Sequence, residues 1–198
     1  MIEVEIKVGI SNPHEIQKKL EEHNAVYKSS LYHEDTYFNM PKGLRDFKLT
    51  DEALRIRKSI EFNKNEKKKT KQFSYFVTYK GKKVDVLTKT RQEIEIELND
   101  SDKMIEMLYV LDFQKVLTIK KERELYEIEY KGRNLDALID FIPVLNRYFL
   151  EVELLTENPE SVEEYRKILF EFLKLIGIHK KESIRESYLE LIINNGKI

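Results

Sequence analysis

The chain has no cysteine. A disulfide framework and a Cys-type zinc site are therefore excluded, and an intracellular compartment is the expected home. It also lacks any excess of charge: 35 basic side chains stand against 36 acidic ones, leaving a net −1, although charged residues make up 36% of the 198. A chain balanced in this way is not drawn as a whole to nucleic acid or to an anionic membrane, and any anion site must come from charge concentrated locally. No apolar run reaches membrane-spanning length, and Met1 to Lys7 carries acids where a secretory leader needs an apolar stretch. The expectation is a soluble cytoplasmic protein with no nucleic-acid or membrane partner. Three common enzyme signatures are missing as well: the Gly-rich phosphate loop, the dinucleotide fingerprint and the Ser/His/Asp arrangement. His14, His23, His33 and His179 show no ligand spacing and are expected at the surface. There is no tryptophan.

What is there is alternation with a period of two, the mark of strands with one apolar and one polar face. Ile2, Val4, Ile6 and Val8 alternate with Glu3, Glu5 and Lys7. Residues 26–39 read as extended, 54–57 and 76–80 alternate, and Arg91 to Leu98 sets Ile94, Ile96 and Leu98 against Arg91, Glu93, Glu95 and Glu97. Lys115 to Tyr130 is read as a hairpin and Phe149 to Leu155 as a last strand. Helices are expected from Asn12-Pro13 to about Glu22, from Ser101 to about Leu111, from Ser161 (a capping box with Glu164) to Gly177, and over 182–193. The basic stretch 63–71 is expected to be a solvated hairpin loop. Tyr37 and Phe38 are expected in the core rather than against a ligand.

One charged strand face is what any half-buried strand shows. The recurrence is more informative. Glu3, Glu5 and Lys7 share a face, and so do Arg55 with Arg57, Arg91 with Glu93 and Glu95, Lys121 with Arg123, and Glu151 with Glu153. If these strands close into an antiparallel barrel with the charged faces inward, burial is costly unless the charges are paired or neutralised by ligands. A tunnel holding water, divalent cations and a polyanion resolves that cost: arginine forks grip phosphate oxygens, while carboxylates hold a cation that bridges to them.

The motifs resemble a known family. Glu3-Val4-Glu5-Ile6-Lys7 is similar to the ExExK signature of the CYTH superfamily, the triphosphate tunnel metalloenzymes, which includes class IV adenylate cyclases, thiamine triphosphatases and tripolyphosphatases. Asp35-Thr36-Tyr37-Phe38, Leu54-Arg55-Ile56-Arg57, Thr78-Tyr79-Lys80-Gly81, Arg91-x-Glu93-x-Glu95, Lys121-x-Arg123, Asp140, Glu151-Val152-Glu153 and Ser187-Tyr188 resemble further family motifs in the family's order. The approach to the last pair, Leu145-Asn146-Arg147-Tyr148-Phe149, carries one residue more than the family pattern.

The resemblance implies an α+β fold: a closed or nearly closed eight-stranded antiparallel β-barrel with helices packed outside, one domain over 1–198 with its C-terminal helices 161–193 on the barrel. It implies Mg²⁺ or Mn²⁺ held by Glu3, Glu5, Glu151 and Glu153. It implies a triphosphate clamp of Lys7, Arg55, Arg57, Lys80, Arg91, Lys121 and Arg123, with Glu93, Glu95 and Lys80 in catalytic roles. The substrate class is a small molecule carrying a triphosphate. ATP converted to cyclic AMP and pyrophosphate is the first reading. Hydrolysis of tripolyphosphate, a nucleoside triphosphate or thiamine triphosphate is the second, the missing tryptophan counting against thiamine. A polyphosphate or nucleotide sensor without turnover is the third. The sequence leaves the oligomeric state open, a homodimer being the commonest symmetric arrangement.

Overall fold

The computed structural model describes residues 1–66, 70–85 and 87–196; Lys67 to Lys69 of the basic stretch lie outside the described residues. Eight strands carry the alternation into one closed antiparallel sheet: β1 (Ile2–Ile10), β2 (Val26–Asn39), β3 (Ala53–Phe62), β4 (Gln72–Lys80), β5 (Arg91–Leu98), β6 (Gln114–Tyr130), β7 (Arg133–Ile142) and β8 (Arg147–Thr156). Around the barrel they run β1-β5-β4-β3-β2-β6-β7-β8. Among the described residues no helix is long and apolar enough to cross a membrane.

Register decides which face turns inward. Glu5 pairs with Glu153 and Lys7 with Glu151 across β1 and β8, Asp35 with Arg57 across β2 and β3, and Arg123 with Asp140 across β6 and β7. Paired residues share a face, so the ionic side chains all meet inside. The apolar partners Val4, Ile6, Val8, Leu150, Val152 and Leu154 turn outward. There they pack under helices α1 (Pro13–Glu22) and α4 (Val162–Leu175), whose Ile16, Leu20, Ile168, Leu169, Phe172 and Leu173 complete the main core. Each fully buried side chain of this size contributes roughly 1.5–3 kcal/mol, which is where the wall of a charged tunnel gets its stability. Helix α3 (Ser101–Val110) covers the other side, its Leu108 packing on Phe38 and Ile56. A one-turn helix, α2 (Phe47–Thr50), precedes β3.

The last helix, α5 (Tyr188–Asn194), instead packs against the inner face. Its Tyr188, Leu191 and Ile192 lie on Ile119, Ile142 and Phe149. The barrel closes through a narrow seam. β1 meets β5 only at Ile2–Gln92 and Glu3–Arg91. Beyond Glu3, the edge of β1 is covered by the Lys89 amide donating to the Glu5 carbonyl at 3.0 Å and the Ile184 amide donating to the Lys7 carbonyl at 2.7 Å.

Three local expectations need correcting. Lys115 to Tyr130 is not a hairpin but part of one long strand, and the turn falls at Lys131-Gly132, both with positive φ. The strand paired with it, β7, carries Asp140. Ser161 caps nothing with its side chain: a 3₁₀ turn at Pro159–Ser161 comes first, and Asn158 accepts from the Glu160 amide. Residues 182–193 split, because Ser183 bridges to Val8 as extended chain and the helix starts only at Tyr188, where Ser187 and Glu190 form a reciprocal capping box.

Candidate active site

The barrel encloses a cavity of about 950 Å³. Its lining includes every residue proposed from the sequence for a catalytic, clamp or metal role except Lys7. Strand order sorts these residues into two walls, since β1 and β8 are neighbours while β3 and β6 flank β2 on the opposite side. The β1/β8 wall is acidic and the β3/β6 wall is basic.

On the basic wall each arginine is braced by a buried carboxylate. Arg57 donates from Nε and Nη2 to the two oxygens of Asp35 at 2.7 and 2.8 Å. Arg123 does the same to Asp140 at 2.6 and 2.7 Å. Both forks are fixed in orientation and keep an Nη1 edge for a ligand. Asp140, with a side chain 0% exposed, is a node: it also accepts from the Tyr188 hydroxyl at 2.8 Å and from Lys121 at 3.5 Å. Burial and then Arg123 push Lys121 down to about 8. Arg55 donates to Thr78 Oγ1 at 2.9 Å and to Glu95 at 3.2 Å. Arg91 is different. It lines the cavity and is only 5% exposed, yet it has no hydrogen bond or ion pair among the described residues.

On the acidic wall, Glu3, Glu5 and Glu153 each place one carboxylate oxygen within 4.8 Å of the others. Burial and the neighbouring Glu3 raise Glu153 to about 8. Burial and Glu151 raise Glu5 well above its ordinary value. Burial is the largest single influence on Glu3 and works against its charge, but Lys80, 3.8 Å away, together with Glu5 and Lys89 outweighs it and holds Glu3 at about 2. Three crowded, buried oxygen donors carry a repulsion that a divalent cation relieves, and hard oxygen ligands suit Mg²⁺ and Mn²⁺. Glu151 stands apart from this group. One of its oxygens accepts from Lys89 at 2.8 Å and the other from Arg123, so the four expected ligands divide into three that converge, of which Glu5 shares the Lys89 contact, and one with both oxygens committed to cations.

Other residues also depart from expectation. Lys7 shares the inner face but does not line the cavity. Its ammonium donates to the Glu186 carbonyl and lies 4.1 Å from the Tyr188 ring centre, and burial followed by Lys89 lowers it to about 7. Glu93 is tied to the Lys80 ammonium, and Glu95 accepts from Thr78 at 2.7 Å, so neither carboxylate is without partners. His33 is not at the surface. It sits on the inner face of β2, two residues before Asp35, with Nδ1 buried and unpartnered. Burial, with Arg57, Lys121 and Arg123, holds it neutral. Tyr37 and Phe38 are buried as expected, Tyr37 on the cavity wall. Lys89 was missed, although it stands two residues before Arg91 and continues that strand's alternation backwards.

The family model of the CYTH domain matches residues 1–188. The chain belongs to the CYTH family. It is 38% identical over 192 residues to a Methanocaldococcus jannaschii protein provisionally named an adenylate cyclase, a match spanning 96% of this chain and 98% of that one. A solved Pyrococcus horikoshii protein aligns with a TM-score of 0.82 at 36% identity, covering 98% of this chain and 99% of its own. A Hippeastrum protein, described as an adenylyl cyclase candidate with a dominant triphosphatase activity, aligns with a TM-score of 0.63 over 99% of this chain and 97% of its own. At 20% identity that likeness is one of fold.

Proposed function

We propose that the chain is a metal-dependent enzyme acting on a triphosphate substrate inside the barrel, and that its reaction is the conversion of ATP to cyclic AMP and pyrophosphate. The observation that carries the reading is Arg91, a buried side chain lining the cavity from β5, next to the acidic wall and across from the braced arginines, with no carboxylate bonded to it among the described residues. A buried, unpaired cation is costly, and a polyanion supplies what it lacks. The opposing acidic wall argues against a simple sensor, because a pure binder has little need of three converging carboxylates.

The chain's own groups would work by position and electrostatics, as phosphoryl transfer requires. Arg55, Arg57, Arg123 and Arg91 hold the phosphate oxygens, and Lys121 adds a point charge. Lys80 lies between Glu93 and the acidic wall, where its ammonium offsets charge on a departing oxygen. A Mg²⁺ or Mn²⁺ ion held by Glu3, Glu5 and Glu153 would supply charge neutralisation across the phosphates. The ribose 3′-hydroxyl then attacks the α-phosphorus, its proton passing to solvent water, and the bond from the α-phosphorus to the bridging oxygen breaks, so that pyrophosphate leaves. The cavity is also lined by Phe47, Val116, Leu189 and Ile193, apolar side chains suited to an organic group attached to the triphosphate. Its volume is at the upper end of the roughly 300–1,000 Å³ common for small-molecule sites. The relative that is 38% identical carries the same reaction in its name.

Hydrolysis is the second reading, and a specific observation favours it. Glu93 and Glu95 are both engaged by cations, so neither of these two carboxylates stands free to take a ribose proton, whereas hydrolysis asks only for a clamped phosphate and water. Product analysis separates the two. Purified protein is given ATP or tripolyphosphate with Mg²⁺ and with Mn²⁺. Cyclic AMP with pyrophosphate supports the first reading, and orthophosphate the second. Absence of turnover with either substrate in both metals refutes both.

A further inference from the structure

Lys89 has a place that the proposed reaction does not assign. Its ammonium sits between Glu5 and Glu151, donating to both, the Glu151 contact at 2.8 Å. Its backbone amide is bonded to the carbonyl of the same Glu5 at 3.0 Å. Burial works against its charge, but Glu151 and Glu5 outweigh that and keep the ammonium above its ordinary value. The preceding segment is anchored as well: Lys83 donates to Asp51 at 2.6 Å and to Glu190 at 2.9 Å, and Arg166 donates to Asp85 at 2.7 Å. The lysine is therefore built into the acidic wall.

We propose that Lys89 is an internal cation that limits the tunnel to one divalent ion, by standing where a second ion would bridge Glu5 and Glu151. The proposal rests on the metal-dependent reading above. Buried carboxylates need positive charge, and this fold supplies it in two forms. Glu3, Glu5 and Glu153 converge with no ammonium between all three, which leaves one place for a metal ion. The Glu5–Glu151 gap is already filled, and Mg²⁺ there would need carboxylate oxygens at about 2.0–2.1 Å, the space the ammonium occupies. Arg123, bonded to the second oxygen of Glu151, raises the local positive charge further.

The test is a count of bound Mn²⁺ in nucleotide-free protein, from the loss of the free-ion electron paramagnetic resonance signal. Wild type and Lys89→Arg should each bind one ion per chain. Lys89→Met, close in length but uncharged, should bind two, and adding Glu151→Gln should return it to one. Two ions in wild type, one ion of unchanged affinity in Lys89→Met, or a second ion that survives Glu151→Gln would each overturn the proposal while leaving the metal reading intact. If Lys89→Met does not fold, Lys89→Gln, uncharged and of similar reach, takes its place with the same expected count of two. No Mn²⁺ bound by any folded form would overturn both the proposal and the metal reading.

Discussion

Replacing Asp140 by Asn keeps the shape of the side chain and removes its charge. Asp140 is fully buried and accepts both N–H groups of the Arg123 fork, the Tyr188 hydroxyl and Lys121. The amide has one acceptor oxygen in place of two anionic ones, so Arg123 loses half of its fork and keeps only Glu151 as counter-charge, while Lys121 beside it loses its own. Breaking a buried pair from one side costs about 3–5 kcal/mol. For a chain of this length each kcal/mol moves the melting temperature by about 2–4 °C, so the expected fall is about 6–20 °C. The same excess charge should make the variant more responsive to a polyanion. Millimolar tripolyphosphate should raise its melting temperature by more than it raises that of wild type, because bound phosphate replaces the missing carboxylate. The assay is a thermal melt by circular dichroism with and without tripolyphosphate. A fall of under 2 °C, or equal stabilisation of both proteins by the anion, would refute the view of Asp140 as the counter-charge of the basic wall.

Arg91→Met should show the opposite pattern. With no partner to strand, the melting temperature should hold or rise, while affinity for tripolyphosphate by calorimetry should fall about 10–150-fold, the worth of a hydrogen bond to a charged group at roughly 1.5–3 kcal/mol. A stability loss without a loss of affinity would show that Arg91 is structural. His33 gives a pH dependence. Its folded value lies below that of the unfolded chain, near 6.5, so the unfolded state takes up a proton first and stability falls as pH drops below that point, by up to about 1.4 kcal/mol per unit. Urea titrations at pH 5 and 7 should show a smaller pH difference for His33→Leu than for wild type, and an equal difference would exclude His33 as the source.

The inward-facing charges were legible because alternation needs no knowledge of neighbours. Glu3, Arg57 and Arg123 could each be placed on a charged face from their own strand. The division into an acidic and a basic wall was not legible, since it depends on β1 lying beside β8, which comes from the far part of the sequence. The misplaced hairpin has a local cause. β6 runs from Gln114 to Tyr130, and its pairing with β2 is interrupted by irregularities near Tyr37 and Tyr27, so neither its length nor its faces follow one clean period. Lys89 precedes β5 in irregular chain, so it could be reached only by carrying that strand's alternation two residues past its end. Lys7 was read by its face alone, but depth along the strand decides whether an inward side chain reaches the cavity, and that depth is fixed by Tyr188 from the far end of the chain.

The pairing of β1 with β8 has a consequence for how the protein comes into being. Glu3 and Glu5 leave the ribosome first among the cluster, whereas Glu153, which completes it, follows only after most of the chain has been made. Until then β1 has no partner along most of its length, and its carboxylates face water. If this cluster holds a cation as proposed, binding would therefore be a late event in the life of the nascent chain, available only once first and last strands have met. A translation product cut short before Glu151 would keep Arg55, Arg57 and Arg123 but have no complete acidic wall opposite them. Such a fragment could attract phosphate and yet do nothing with it.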